Sequence, residues 1–147
     1  MRLYIDLNCF NRPFDDQRQE RIRRETESVL SILRRIIDGN DSVVWSWALT
    51  FENEKHPMTD RRDEIALWEG RAERSIALDD DVNAIAKQFT RQGIPAMDSV
   101  HLACAEAAGV DVLLTCDDVF LRRARRLSLA LRVLNPVACL QEVMRNG

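Results

Sequence analysis

An α/β fold, with a central parallel sheet flanked by helices, is predicted by three observations. Short apolar runs that read as buried strands alternate with longer segments of helical periodicity, the pattern of βα units. Two of those runs lead into an aspartate: Leu3-Tyr4-Ile5 into Asp6, and Val110-Asp111-Val112-Leu113-Leu114 through Thr115-Cys116 into Asp117. The length of 147 residues favours one domain, residues 1–147, around a single core.

The elements follow in order. Residues 1–6 read as a short buried strand, and residues 8–16, with Asn8, Asn11 and Pro13 as breakers, as a turn-rich connection. Residues 17–37 repeat Ile22, Val29, Leu30, Leu33, Ile36 and Ile37 near a 3.6 period, which predicts a helix stopped by Gly39-Asn40. Residues 42–47 form a second strand and 46–55 a short helix carrying Leu49, Phe51 and Glu52, closed by Pro57. Thr59-Asp60 offers an N-cap for a helix over 60–76. Asp79-Asp80-Asp81 suits the positive end of a helix over 82–91, which Gly93-Ile94-Pro95 breaks. Asp98 opens an alanine-rich helix over 98–108, capped by Gly109. A buried strand over 110–115, an arginine-rich helix over 119–127, a strand over 131–133 and a helix after Asn135-Pro136 complete the chain.

Composition narrows the function. Hydrophobic residues at 46% and charged residues at 31% describe an ordinary soluble protein. No apolar stretch approaches the roughly 20 residues of a membrane span, and the first residues enter a strand without a secretory apolar region, so a cytoplasmic location without membrane contact is expected. A net charge of −3 argues against a surface wrapped on duplex DNA. Of the 21 basic residues all but Lys55 and Lys87 are arginine, which suits planar phosphate recognition, although a compositional bias explains it more simply. Cys9, Cys104, Cys116 and Cys139 form no C-x-x-C pair, and His56 and His101 complete no zinc spacing. The cysteines read as small buried apolar groups in a reducing compartment.

The informative residues are acids. Asp6, Glu52, Asp98 and Asp117 stand where a strand or turn hands over to a helix. Ionised carboxylates beside a core are costly unless a cation compensates them, so their joint placement points to a bound divalent metal. Oxygen ligands alone suit Mg²⁺ or Mn²⁺, ions able to activate water and neutralise a phosphodiester transition state. Asn8 and Thr115 lie close enough in sequence to support a carboxylate by hydrogen bonds. Each acid taken singly has a plainer reading: Asp98 as an N-cap, Asp117 or Asp118 as a cap of the following helix, Glu52 exchangeable with Glu54 on another helical face. His101, one turn from Asp98, reads as a packed, hydrogen-bonded structural histidine ahead of a general base. Trp45, Trp47 and Trp68 are candidates for base stacking, and Arg122, Arg123, Arg125 and Arg126 for backbone contacts on the helix after Asp117.

Three segments carry a family resemblance. Leu3-Tyr4-Ile5-Asp6-Leu7-Asn8, Met97-Asp98-Ser99-Val100-His101-Leu102-Ala103 and Leu113-Leu114-Thr115-Cys116-Asp117-Asp118 resemble, in this order, the first strand, the Asp…His-Leu-Ala helix and the Thr-x-Asp strand end of the PIN-domain nucleases. These include the toxins of VapC type in toxin–antitoxin pairs. The resemblance covers essentially the whole chain and implies a single-domain three-layer sandwich. It also implies an endoribonuclease dependent on Mg²⁺ or Mn²⁺, with Asp6, Asp98 and Asp117 as metal-binding acids, Glu52 as the fourth catalytic acid, and Asn8, Thr115 and Asp118 in support. RNA is the implied substrate. A small antitoxin would cover the acidic cleft, and the stripe Ile22, Val29, Leu33 is available to such a partner or a homodimer, or simply packs inside. The stretch 8–14 departs from the usual toxin opening, in which a small hydroxylated residue follows the first Asp.

Other classes fit less well. A haloacid-dehalogenase-type phosphatase needs a second Asp where Asn8 stands, and a phospho-receiver needs a late-strand lysine that is absent. A catalytically silent PIN-like module binding RNA or protein is the remaining alternative, and the complete set of four acids argues against it.

Overall fold

The computed structural model describes residues 1–146. Five strands, β1 (Arg2–Ile5), β2 (Ser42–Ser46), β3 (Arg74–Ile76), β4 (Val112–Leu114) and β5 (Arg132–Leu134), form one sheet in the order β3-β2-β1-β4-β5, and every pairing is parallel. Eight helices surround it: α1 (Leu7–Asn11), α2 (Glu20–Ile37), α3 (Trp47–Glu54), α4 (Thr59–Ala66), α5 (Asp80–Arg91), α6 (Ala96–Ala107), α7 (Asp118–Ala124) and α8 (Pro136–Asn146). The expected α/β architecture is therefore present. β1 and β4 lie side by side at the centre, with Leu3 opposite Val112 and Ile5 opposite Leu114. Leu3, Tyr4, Ile5, Leu113 and Leu114 are all essentially inaccessible, as continuous apolar strands covered on both faces should be.

Four sequence expectations need correction. Residues 8–14 are helical: the Asp6 carboxylate accepts the Leu7 N–H at 2.8 Å and starts α1, and a 3₁₀ turn, Arg12–Phe14, follows; only Asp15 and Asp16 remain as connection. Pro13 fits in that opening turn because its missing N–H is not needed there. The second strand stops at Ser46, whose Oγ accepts the Leu49 N–H at 3.3 Å, so Trp47 is the first helical residue.

The helix expected over 60–76 is three elements. α4 begins at Thr59, after Met58 rather than a Thr59-Asp60 cap, and ends at Ala66; a 3₁₀ turn, Leu67–Arg71, follows, and β3 pairs with the edge of β2. Gly70 weakens a continuing helix. Only Ile76 of β3 is buried, so that strand leaves no apolar pattern in the sequence. Finally, α6 begins at Ala96 behind Pro95, which makes Asp98 its third residue and not its cap.

The stripe on α2 faces inward. Val29, Ile32, Leu33 and Ile36 are buried, Ile22 is half-buried, and Leu30 and Ile37 are exposed beside Leu33, lining a groove with Phe10, Ile65 and Trp68. All four cysteines are free and buried, and the sulfurs of Cys9 and Cys116 touch at 3.6 Å. No helix among the described residues is long and apolar enough to cross a membrane.

Candidate active site

In an open parallel sheet the crevice lies beyond the carboxyl ends of the strands, where the chain leaves neighbouring strands in opposite directions. Here that point is between β1 and β4, flanked by β2 on one side and β5 on the other. Asp6 follows β1 and Thr115 follows β4. α3 leaves β2 at the same rim and carries Glu52. α6 runs back toward β4, so its first turn, with Asp98, starts there as well.

Asp6 is 7% exposed, and both of its oxygens accept hydrogen bonds. Its Oδ1 accepts the Leu7 N–H at 2.8 Å; its Oδ2 accepts the Thr115 hydroxyl at 2.8 Å and the Asn8 amide at 3.1 Å. Thr115 Oγ1 also accepts the Asn8 amide at 3.1 Å and the Asp117 N–H at 3.2 Å, while Asn8 Oδ1 accepts the Cys116 N–H at 3.0 Å. Asn8 and Thr115 thus tie the ends of β1 and β4 together around one carboxylate. Burial pushes the Asp6 carboxyl above its ordinary range and the Glu52 charge adds to this, against the opposing pull of His101 and the Thr115 hydrogen bond.

The neighbouring pair Asp117 and Asp118 separates cleanly. Asp117 Oδ1 caps α7 by accepting the N–H groups of Val119 at 2.9 Å and Phe120 at 3.2 Å, and its Oδ2 has no hydrogen-bond partner among the described residues. Asp118 is clamped by Arg21 at 2.7 and 2.9 Å, which holds its carboxyl below the ordinary range. Glu52 and Glu54 separate as well: Glu52 bonds Nε2 of His101, whereas Glu54 is exposed and has no partner among the described residues.

Asp6, Glu52 and His101 each offer a ligand atom within 4.8 Å of the others. Asp98, half-buried, has its carboxyl pushed up to about 6 by burial and by the charges of Asp6, Asp117 and Glu52, which outweigh His101. Asp98 therefore feels the negative charge of the other three acids, while the ligand atoms that lie within 4.8 Å of one another belong to Asp6, Glu52 and His101 and not to Asp98 or Asp117. Among the described residues none of the four acids pairs with a lysine or an arginine. A hard divalent cation fits this donor set, because carboxylate oxygens predominate, no thiolate is present and a positive charge would relieve the repulsion on Asp98. His101 is not a free ligand: Glu52 occupies its Nε2, and its Nδ1 lies 2.6 Å from the Tyr4 hydroxyl.

No protein-family model matches the chain. No curated protein matches it either. Among solved structures, a chain of VapBC2 from Rickettsia felis, crystallised bound to a DNA fragment from its promoter, superposes with a TM-score of 0.61 over 92% of this chain and 98% of that one. The fold is PIN-like. Sequence identity is 14%, so the likeness establishes the PIN-like architecture and nothing narrower.

Sequence reasoning left Tyr4 and Ser46 out of the site and read His101 as structural. His101 is indeed buried, at 1% exposure, and it also touches Glu52. The available signal was Tyr4 itself, a hydroxyl inside an otherwise aliphatic central strand that must find a buried partner. Of the tryptophans, Trp45 is core and Trp68 half-buried, while Trp47 is exposed and stacks on Phe51 at 4.9 Å.

Proposed function

We propose that this protein is a metal-dependent endoribonuclease in which Asp6, Asp98 and Asp117 hold Mg²⁺ or Mn²⁺ and Glu52 completes the acidic rim. One observation supports the reading: Asp6 and Glu52 lie within ligand distance of each other at the switch point of a PIN-like sheet, Asp98 feels their charge and that of Asp117, and none of the four has a lysine or arginine partner among the described residues, while Asp118, next to Asp117 in sequence, has one. A bound divalent ion supplies the missing positive charge and Lewis acidity toward a phosphodiester.

The chain's own residues do the rest. Thr115 and Asn8 fix Asp6 so that it need not reorganise when charge develops beside it. Asp117 is held by its capping bonds with one oxygen left over. Arg122 and Arg123 on α7, and Arg125 and Arg126 in the turn after it (the helix ends at Ala124, short of the expected residue 127), are exposed and have no carboxylate partner among the described residues, which suits contacts to an RNA backbone. Trp47 presents a ring face to an unpaired base. The finer reading, a toxin held by a small antitoxin protein, draws support from the VapBC2 likeness, and the partner would cover the acidic rim.

The test is cleavage of a labelled RNA panel with Mg²⁺ or Mn²⁺ by the wild type, Asp6→Asn and Asp98→Asn. Cleavage that leaves 5′-phosphate ends, stops with EDTA and is lost in both variants supports the reading. A folded wild type that neither cleaves nor binds Mn²⁺ by calorimetry leaves the silent binding module in its place.

A further inference from the structure

We propose that Tyr4 and His101 are positioning residues for Glu52, an assignment that rests on the nuclease reading above. Glu52 has the longest and most rotamer-rich side chain of the four acids, it is 33% exposed, and a glutamate loses up to about 2 kcal/mol of rotamer entropy when held in one place. Repelled by Asp6 and Asp98, an unassisted glutamate would turn toward water. His101 opposes that turn. Its side chain is 1% exposed, so the ring cannot follow Glu52 outward, and its Nε2 fixes the carboxylate beside Asp6.

The ring is itself oriented from behind. The Tyr4 hydroxyl sits 2.6 Å from His101 Nδ1 and 2.6 Å from Ser46 Oγ, and Ser46 Oγ accepts the Leu49 N–H in the first turn of α3. Tyr4, Ser46 and His101 are all within 1% of complete burial. One assignment of protons satisfies the chain with a neutral imidazole: Ser46 donates to Tyr4, Tyr4 donates to Nδ1, and Nε2–H donates to Glu52. The cap that precedes α3 and the candidate acid that α3 carries are thereby referred to the same hydroxyl on the central strand. Packing alone asks only for an apolar ring at residue 4. A buried hydroxyl and imidazole instead carry a desolvation cost that this chain of bonds offsets, and the chain ends on a carboxylate of the candidate site.

The experiment compares wild type, Tyr4→Phe, Glu52→Gln and the double variant, and follows kcat and KM for RNA cleavage, Mn²⁺ affinity and the imidazole ¹⁵N signals of His101. Tyr4→Phe should lower kcat by roughly 10- to 100-fold with KM little changed, the scale of losing an outer-shell partner. The double variant should be no worse than Glu52→Gln, because both changes act through one carboxylate. The His101 signals should move in each single variant. A merely structural Tyr4 gives additive losses, or a lower melting temperature with wild-type kcat, and either result overturns the assignment. A wild type that neither cleaves nor binds Mn²⁺, yet shows His101 signals responding to both substitutions, overturns the nuclease reading while the clamp on Glu52 stands. Active wild type with unresponsive His101 signals overturns the clamp alone.

Discussion

The Thr115 hydroxyl donates a 2.8 Å hydrogen bond to Oδ2 of Asp6 across 109 positions of sequence. It does so where two central strands end, with Thr115 fully buried and Asp6 nearly so. Thr115→Val keeps the shape and removes the donor. The expected result is a loss of about 1–3 kcal/mol in urea unfolding, the cost of leaving a buried acceptor short of a partner, together with a large loss of cleavage. Thr115→Ser should restore most of both.

Asp98 sets a pH dependence. Its folded-state value of about 6 lies above the ordinary 3.8, so the metal-free folded protein binds a proton more readily than the unfolded chain between those values. Stability from this group is therefore greatest below about pH 4, falls as pH rises toward 6, and is fully lost above it. Asp98→Asn should remove that slope and raise the stability of the metal-free protein at pH 7, by on the order of 1 kcal/mol after allowance for solvent screening of a half-exposed group. Melting curves at pH 4.5 and pH 7 for both proteins check this. The same variant should be inactive.

Mn²⁺ should raise the melting temperature of the wild type and EDTA should reverse the gain. At a hundredfold excess over its dissociation constant a ligand of the folded state adds about 2.7 kcal/mol. Asp6→Asn should shrink this response, and scanning calorimetry with and without the ion reads it directly.

Asp117 and Asp118 should behave oppositely. The Arg21–Asp118 pair is about half exposed at both ends, so Asp118→Ala should cost under about 1 kcal/mol and leave cleavage intact. Asp117→Asn should abolish cleavage under the same assay.

Trp47 tests the substrate surface. The residue is 41% exposed and stacks on Phe51, so Trp47→Ala should cost only about 0.5–1.5 kcal/mol of stability. Loss of a base-stacking face worth about 1–3 kcal/mol should appear as a raised KM for single-stranded RNA.

Much of this was legible in the chain. Asp6 and Asp117 announced themselves by ending apolar runs, and the central strands by their continuous Leu, Ile and Val. β3 did not, because an edge strand with one buried residue carries no periodic signal. Residues 8–14 misled because Asn8 and Pro13 are turn formers in isolation. Here Asn8 is spent on bonds to Asp6, Thr115 and Cys116, and the helix is started by Asp6. Arg21 sets Asp118 apart from Asp117 and His101 sets Glu52 apart from Glu54, and both are partners that adjacency in sequence does not reveal.

The strand order has a consequence for synthesis. β1 is made first but lies between β2 and β4, so Asp6 waits for Thr115 to be translated, roughly 5–20 s later at ordinary elongation rates. Until then the first acid faces water and the last is not yet made. A nascent or prematurely terminated chain ending before residue 117 lacks the assembled site.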